Sequence, residues 1–480
     1  MNGAGPAVSR RALLTGVGGA ALTGAVLAPG RADAAPGRAD AAPPPVVPVA
    51  ARGRALRFLD AMTAAHGQSG ELRLPQSYAD QIGLFTTGFT YDAALATLAF
   101  LDDDRPESDD QARLLGQSLV YAQQHDPQYS DGRLRQAYTV GPYTRGGVAQ
   151  PYGFVRPDGT VNVGGAFGFS GSGTGECAWA ALALCGLHRR TGDDRFFGGA
   201  VRLGEWIVRT CRSSGPLGGF TAGIGRDGGA FRQVTTTHNA DLVALFTQLA
   251  ELTGDRTWLA ARAEAARFVA RMWNPVRQAF ASGAPDGASV EQSLTLLEAQ
   301  THAWLALSDL DQVGCLDTVE RRLSVTDSAR SPNSAVAPGS SFTGVTVSSA
   351  SRTADPTVPI EPGLPRPDPD AVWLEGTAQY ALAVRLSPLG AAQVAGPLRT
   401  LIAAQARLGA GQTVDGSLLP PGGGLLAATS PLHVGFVDSG YFPYAHVAAT
   451  AWYLLAAAGT NPLGGIAASA PGRDDHTAQG

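Results

Sequence analysis

The sequence predicts an all-α fold, an (α/α)6 barrel in which six helical hairpins form an inner and an outer ring. The first observation behind this prediction is a series of twelve helix-like segments along almost the whole chain. The second is that nearly apolar segments alternate with amphipathic ones, and helices apolar all round are buried whereas one-sided helices face solvent. The third is that the links between them alternate between short and long.

The helices are expected, with uncertain ends, at residues 52–66, 91–102, 108–125, 175–189, 194–212, 239–253, 256–272, 290–308, 314–323, 371–386, 390–408 and 444–458. Two short links, 191–193 and 253–255, each offer Gly to end one helix and Asp to cap the next. This arrangement indicates closely joined hairpins.

The links that precede the apolar, inner helices are long. They cover about 126–174, 213–238, 273–289, 324–370 and 409–443. Because each precedes an inner helix, all should lie on one face of the barrel, and loops of this length are usually functional. The segment 324–370 is expected to be either a lid or a mobile insertion.

Acidic residues recur beside the starts of the inner helices, and therefore on the same face as the long links. The examples are Asp92, Glu176, Asp241, Glu298 and Glu375, with Asp438 upstream of the last helix. Hydrolysis of a glycosidic bond needs two carboxyl groups, so the pattern predicts a carboxylate-lined cleft. The structural alternative is that each acid caps its helix or interacts with the helix dipole.

Three motifs resemble the six-hairpin glycosidase-like superfamily over about residues 50–463. They are THNADL at Thr237–Leu242, WLEGTAQ at Trp373–Gln379, and HVAATAW at His446–Trp452 followed by NPL. The resemblance implies an (α/α)6 barrel acting on carbohydrate, and many members of the superfamily invert. An acid is expected just before the His-Asn pair, and here Thr237 holds that position, which argues against an acid role there.

Glu375 is the predicted general acid, because a carboxyl group beside an aromatic ring such as Trp373 can have a raised pKa. Trp373 is also expected to stack on a sugar ring. Asp241, Glu176 or Asp92 is the predicted base. Glu298 and Glu291 are further candidates, and the sequence does not decide between a chemical and a structural role for them.

The remaining predicted substrate-binding residues are His238, Asn239, Asp438, Tyr441, Tyr444 and His446. His446 could equally be a core histidine. Aromatic residues in the long links should supply three or four ligand contacts. The candidates are Tyr138, Tyr143, Tyr152, Phe154, Phe167, Phe169, Phe220, Phe231, Tyr441 and Tyr444. Arg145, Arg226 and Arg232 could bind an acidic sugar or be ordinary surface residues.

The N-terminus predicts export. Ser9–Leu14 reads SRRALL, an apolar stretch follows, and Ala32–Ala34 offers a cleavage site, as in a twin-arginine signal. The predicted divisions are a signal peptide at 1–34, a Pro/Ala-rich linker at 35–50, the barrel at 51–463 and a disordered tail at 464–480. The expected localisation is secreted or extracytoplasmic.

The composition of the chain restricts the classes of partner that it can be expected to bind. The formal net charge is −5 and no basic run occurs, which disfavours nucleic acid. Stable membrane insertion is also disfavoured, because the apolar N-terminal stretch is short and rich in Gly. The four Cys show no metal-ligand spacing, so neither a metal nor a cofactor is predicted. They are expected to be buried thiols, with one disulfide as the alternative.

The function predicted from these features is that of a secreted glycoside hydrolase on a polysaccharide or oligosaccharide, with an inverting mechanism favoured. One alternative is a polysaccharide lyase, in which His238 and Asn239 act with Tyr441 or Tyr444 on a uronate. The other is a non-catalytic glycan-binding protein.

Overall fold

The computed structural model describes residues 46–67, 70–164 and 168–464. The predicted signal peptide, residues 35–45 of the linker and residues 465–480 of the tail lie outside these ranges. Within them the chain forms twelve α-helices arranged as an (α/α)6 barrel, which confirms the predicted fold class.

The inner ring consists of the even-numbered helices, and each packs against two others until α12 meets α2 and closes the circle. Their side chains are buried almost throughout, and frequent Ala lets the helices approach closely. These helices are α2 (Thr90–Leu101), α4 (Thr174–Thr191), α6 (Thr236–Thr253), α8 (Leu297–Leu307), α10 (Leu374–Arg385) and α12 (Val447–Ala458).

The outer ring consists of the odd-numbered helices, each of which packs its apolar side against the inner ring. In the fifth helix of the chain, for example, Phe196, Leu203 and Trp206 are buried while Arg195 and Glu205 are exposed. These helices are α1 (Val49–Ala64), α3 (Pro106–Gln124), α5 (Asp194–Thr210), α7 (Thr257–Met272), α9 (Gly314–Leu323) and α11 (Ala391–Arg407).

The short links form as the sequence predicts. Gly192 has a φ of 69°, a left-handed conformation that suits Gly and ends α4. The Asp193 side chain then accepts a hydrogen bond from Arg195 N at 2.9 Å and caps α5. The short links therefore turn the chain at the end of the barrel opposite the long links.

Short antiparallel strand pairs order the links around the mouth of the barrel, some within one link and others between neighbouring links. The pairs are β1 (Thr87–Phe89) with β2 (Ala137–Thr139), β3 (Tyr143–Arg145) with β4 (Val148–Gln150), β5 (Ser172–Gly173) with β6 (Gly223–Ile224), β7 (Val234–Thr235) with β10 (Gly283–Ala284), β8 (Trp273–Asn274) with β9 (Ala279–Phe280), β11 (Ser324–Ser328) with β12 (Ser341–Val345), β13 (Thr413–Val414) with β14 (Ser417–Leu418), and β15 (Leu432–His433) with β16 (Gly440–Tyr441). A bridge between Tyr78 and His446 connects the last link to the first.

One helix begins later than predicted. Helix α8 starts at Leu297 rather than near residue 290, because Leu296 pairs with Ser348 and Glu291 N donates to Gly283 O. Glu298 therefore lies in the first turn of an inner helix. Glu291 lies outside the helix, and its carboxylate accepts hydrogen bonds from Ser293.

The segment 324–370 is built onto the barrel rather than detached from it. It opens with the β11–β12 hairpin, whose Phe342 and Val345 are buried, and its later part reaches the mouth of the barrel. Of the two expectations for this segment, a lid is therefore the closer description.

All four cysteines are free and buried, in agreement with the expectation of buried thiols rather than a disulfide. No helix in the described part of the chain combines the length and the apolar character needed to cross a bilayer.

Candidate functional site

A cavity of about 590 Å³ opens where the first turns of the inner helices meet the long links. This volume falls within the range of roughly 300–1,000 Å³ that is usual for small-molecule sites. Of the eleven predicted site residues, eight line the cavity: Asp92, Glu176, His238, Asp241, Glu375, Tyr441, Tyr444 and His446. The alternation of short and long links thus brings the predicted acids together.

Glu375 lies in the first turn of α10 and is 2% exposed. Its Oε1 accepts a hydrogen bond from the Tyr91 hydroxyl at 3.0 Å and one from Gln379 Nε2 at 3.4 Å. Burial, followed by the nearby charges of Glu298 and Asp92, raises the pKa of Glu375 well above its usual value. A raised pKa is the property that a general acid requires.

The position of the Glu375 proton follows from the hydrogen-bond chain behind it. Trp452 Nε1 can only donate, and it donates to the Tyr91 hydroxyl oxygen at 2.9 Å. The single Tyr91 hydrogen is thus directed at Glu375 Oε1. Since that oxygen accepts from two groups, a protonated Glu375 would carry its hydrogen on Oε2.

His446 lies between two carboxyl groups at the start of α12. Its Nε2 is 3.4 Å from Asp92 Oδ2, and its Nδ1 is 3.8 Å from Glu375 Oε2. The Tyr78 ring stacks on the imidazole with a centroid distance of 4.2 Å, which fixes its plane. Asp92, His446 and Glu375 thus form one connected acidic group on adjacent inner helices.

Asp241 belongs to a second group on the other side of the cavity floor. Its Oδ2 accepts from Trp179 Nε1 at 3.2 Å, and its Oδ1 lies 2.8 Å from His302 Nδ1. Burial disfavours the charged His302 ring, but the charge and hydrogen bond of Asp241 outweigh it, so the pKa of His302 is raised. Asp241 therefore orients His302, whose Nε2 is buried without a hydrogen-bond partner.

Glu298 is the half-buried carboxylate nearest to Glu375 in the hydrogen-bond network. Gln379 Nε2 is 3.4 Å from Oε1 of Glu298 and 3.4 Å from Oε1 of Glu375. Glu176 also lines the cavity, and its carboxylate curls back toward Gly173, close to where a side chain there would project. Glu298 is the better placed of these two to act with Glu375.

Three predicted binding residues do not line the cavity. Asn239 is buried and holds the backbone of Phe220, accepting from its N at 2.9 Å and donating to its O at 3.0 Å. Trp373 is 1% exposed and supports Tyr441 from behind, with ring centroids 5.4 Å apart. Asp438 is exposed on the loop outside. Their contacts are those of structural or surface residues.

Among the predicted loop aromatics, Phe169, Tyr441 and Tyr444 line the cavity, and Tyr138, Phe154 and Phe220 are buried in the loops' own packing. Phe167 falls outside the described residues. Arg145 and Arg226 line the cavity, whereas Arg232 does not.

The sequence analysis did not identify His302, Tyr78 or Tyr91 as site residues. His302 follows Glu298 by four residues on α8, a spacing that puts both on one helix face, and this signal was present in the sequence. Tyr78 lies in the segment between α1 and α2, which was not among the predicted long links, and no local pattern distinguishes it. In the described part of the chain, no cluster of His, Cys, Asp and Glu is arranged to hold a metal ion.

No protein-family model matches the sequence, and no curated protein matches it. Solved structures do match, at low sequence identity. Cellobiose 2-epimerase from Bacillus thermoamylovorans B4167 aligns with a TM-score of 0.54 at 10% identity, covering 85% of this chain and 97% of the other. The cellobiose 2-epimerase of Spirochaeta thermophila DSM 6192 gives 0.52 at 11%, covering 86% and 98%.

A third match is a family 76 glycoside hydrolase (mannosidase), Bt3792 from Bacteroides thetaiotaomicron VPI-5482. Its TM-score is 0.51 at 8% identity, with 86% of this chain and 98% of the other covered. Identities this low establish the architecture alone. The chain therefore shares the (α/α)6-barrel architecture with these proteins.

Proposed function

We propose that this protein is a carbohydrate-active enzyme, and specifically a glycoside hydrolase in which Glu375 is the general acid. The observation that carries the proposal is that Glu375, which is buried and has a raised pKa, shares the Gln379 amide with the more exposed Glu298. A glycosidase needs one carboxyl group to protonate the leaving oxygen and a second to activate water or attack the sugar. Glu298 is assigned the second role.

The spacing of the two groups fits this chemistry. Because both Oε1 atoms lie 3.4 Å from one nitrogen, they can be no further apart than twice that distance. Retaining enzymes hold their carboxyl groups roughly 5–5.5 Å apart and inverting enzymes roughly 6.5–9.5 Å. The upper bound reaches the short end of the inverting range, so the separation is compatible with inversion, which the family resemblance favours.

This assignment changes the predicted base. Asp241 is engaged by Trp179 and His302, and Glu176 turns back toward the loop, which leaves Asp92 as the rival of Glu298. Asp92 is 3% exposed and lies against His446, so water would reach it less readily than it reaches Glu298. The proposed substrate is a polysaccharide or oligosaccharide, and export by the twin-arginine route is part of the proposal.

The test is a panel of glycans scored for new reducing ends, with Glu375→Gln, Glu298→Gln and Asp92→Asn beside the wild type. Loss of a general acid costs roughly 10²–10⁴-fold in rate. Glu375→Gln and Glu298→Gln should show such losses, and the exposed Glu205→Gln should not. Full activity in Glu375→Gln would rule out the proposal, and a large loss in Asp92→Asn alone would move the base to Asp92.

A second candidate, a sugar epimerase, is favoured by one observation. The Asp241–His302 pair leaves His302 Nε2 unpartnered at the cavity, and His238 and His446 line the same space. Imidazoles paired with a carboxylate suit abstraction of a proton from carbon beside a carbonyl group. Proteins that share this fold include two named as epimerases and one named as a glycoside hydrolase, so the fold does not discriminate between the two reactions.

The products discriminate between the candidates. In deuterium oxide, an epimerase converts the sugar into an isomer that carries deuterium on carbon, and no glycosidic bond is cleaved. His302→Gln should abolish this exchange. A hydrolase yields new reducing ends without deuterium on carbon. A lyase yields an unsaturated uronate that absorbs in the ultraviolet, and binding without any product would leave a glycan-binding protein.

A further inference from the structure

A buried amide lies behind the cavity wall, in the segment between α1 and α2. Gln76 has no exposed surface, and its Nε2 donates to the Tyr78 carbonyl oxygen at 2.8 Å and to Asp80 Oδ1 at 2.9 Å. Both of these oxygens only accept, so the other end of the amide is its carbonyl oxygen. That oxygen lies 2.6 Å from His66 Nε2, which therefore donates to it. The three contacts agree on a single orientation of the Gln76 side chain.

Asp80 accepts four hydrogen bonds, two on each carboxylate oxygen. Its Oδ1 accepts from Gln76 and from Asp415 N, the latter at 3.1 Å. Its Oδ2 accepts from the Thr413 hydroxyl at 2.8 Å and from Gly416 N at 2.9 Å. A carboxylate that is held by donors on both oxygens cannot rotate without losing some of them.

The two backbone N–H groups belong to the turn of the β13–β14 hairpin, which lies in the last long link. Asp415 and Gly416 have φ angles of 47° and 70°, and a two-residue hairpin turn of type I′ requires this left-handed region at both positions. Successive N–H groups in a turn can together bind an anion. Asp80 thus fastens the last long link to the segment between α1 and α2.

The fastened segment forms part of the cavity wall. Tyr78 and residues 81–84 line the cavity, and the Tyr78 ring stacks on the His446 imidazole with the two planes 6° apart. His446 Nδ1 lies in turn 3.8 Å from Glu375 Oε2. The orientation of Tyr78 therefore bears on the acidic group that contains the proposed general acid.

Backbone pairing places Tyr78 beside His446 but leaves the direction of its ring open. Ala79 N donates to Ala445 O at 3.0 Å, and Val447 N donates to Ser77 O at 3.0 Å. The side-chain rotamers that a residue can adopt depend on its φ and ψ angles. The hydrogen bond from Gln76 to the Tyr78 carbonyl restrains ψ at this residue.

We propose that Gln76 and Asp80 are positioning residues of the cavity. They hold Tyr78 in the conformation that stacks on His446, and they couple this conformation to the turn of the β13–β14 hairpin. Neither side chain lines the cavity, so both act through Tyr78. The inference rests on the proposed function in one respect, which is that the cavity with His446 is taken as the active site.

Asp80→Asn tests the inference, because an Asn side chain would place its NH2 group against two donors whichever way it turned. Gln76→Leu is the second variant, since it removes all three contacts of the amide at similar size. The matched control is Asp158→Asn. Asp158 is an exposed acid that accepts from the backbone N–H and the hydroxyl of Thr160 in a turn that does not line the cavity.

The measurement is the NMR spectrum of the protein with 13C-labelled histidine side chains. An aromatic ring displaces the resonances of a ring that is stacked on it, so the position of the His446 resonance reports on the Tyr78 stack. The resonance is identified by its absence in His446→Gln. Tyr78→Leu gives its position when the stack is missing, which we call the unstacked position.

The His446 resonance should move toward the unstacked position in Asp80→Asn and in Gln76→Leu. It should keep its wild-type position in Asp158→Asn. Thr413→Val removes one donor to Asp80 and should give a smaller shift in the same direction, and it decides the matter if the two stronger variants do not fold.

A wild-type resonance in every one of these three variants that folds would overturn the inference, and would show that backbone pairing alone sets the stack. The measurement requires no substrate. Failure of the positioning role and failure of the proposed function are therefore distinguishable.

Discussion

At the scale of single residues, the central feature is that the cavity holds its carboxyl groups in different environments. Glu375 is buried and its pKa is raised, Asp241 accepts hydrogen bonds from two N–H groups, and Glu298 is only partly buried. Pairs of acids whose environments separate their pKa values supply the acid and base of a mechanism. The sequence located the acids, but only their neighbours distinguish them.

Glu375→Gln should stabilise the protein at pH 7 while abolishing activity. The folded-state pKa of Glu375 is raised above its unfolded value, so its stabilising contribution is complete below about pH 4.5 and declines as pH rises toward the folded pKa. At pH 7 the Glu375 carboxyl group must take up a proton to be buried without charge, whereas the amide of the Gln variant is already neutral. Thermal unfolding should show a higher Tm for the variant at pH 7 and little difference at pH 4, and an equal or lower Tm at pH 7 would contradict a buried proton.

Tyr91→Phe should lower kcat with little change in KM. It removes the donor to Glu375 Oε1, which stabilises the carboxylate that develops as Glu375 gives up its proton. A hydrogen bond to a charged group contributes about 1.5–3 kcal/mol, or roughly tenfold or more in rate. Because that donor favours the ionised form, the pKa of Glu375 should rise further. The alkaline limb of the pH–rate profile should therefore move to higher pH. Tyr121→Phe, which lies outside the cavity lining, is the control. An alkaline limb that does not move in Tyr91→Phe would show that Tyr91 does not act on the general acid.

At the scale of elements, helix types and links could be predicted because burial imposes periodicity on each segment. Helix α9 matches its predicted bounds, and Gly192 and Asp193 end and begin helices as their chemistry requires. The start of α8 could not be predicted, because residues 290–296 are held extended by partners far along the chain, including Ser348. The placement of Asn239 and Trp373 behind the cavity wall could not be predicted for the same reason, since it depends on their contacts with Phe220 and Tyr441.

Gly116→Ala in α3 should destabilise the protein, whereas Gly53→Ala in α1 should not. An added Cβ at Gly116 would overlap Leu187 and lie 2.9 Å from Phe196 Cε1, and overpacking costs about 1–3 kcal/mol. The Gly53 position has room, and replacing a helical Gly by Ala gains about 0.5–1 kcal/mol. The free energy of unfolding of both variants is measured with denaturant. Equal changes in the two variants would contradict the close contact between α3 and α4.

At the scale of the whole molecule, the closed ring explains why a site spread over more than 350 residues is continuous. Residues from Tyr78 to His446 meet because the links at the mouth are bridged to their neighbours. The sequence predicted the shared face from topology alone. It could not predict the angles at which Asp438 turns outward and Glu298 turns inward.

The four thiols should be unreactive in the folded protein. Cys177, Cys185, Cys211 and Cys315 are buried and free, and burial raises the pKa of Cys211 to about 11 and that of Cys185 to about 12. A thiol reagent should label none in native buffer and four in guanidinium. Tm should be independent of reductant; a reductant-dependent Tm would instead indicate a disulfide.

Helix α12 contacts both α1 and α2, so the last hairpin of the chain packs against the first. The fold therefore does not depend on which hairpin comes first in the sequence. The double ring has no first unit, so a chain could start elsewhere and rebuild the same circle. A permutant that joins residue 464 to residue 46 by a flexible peptide and begins at Asp255 would open the ring at the end remote from the cavity. It should bind and turn over the same glycans as the parent protein.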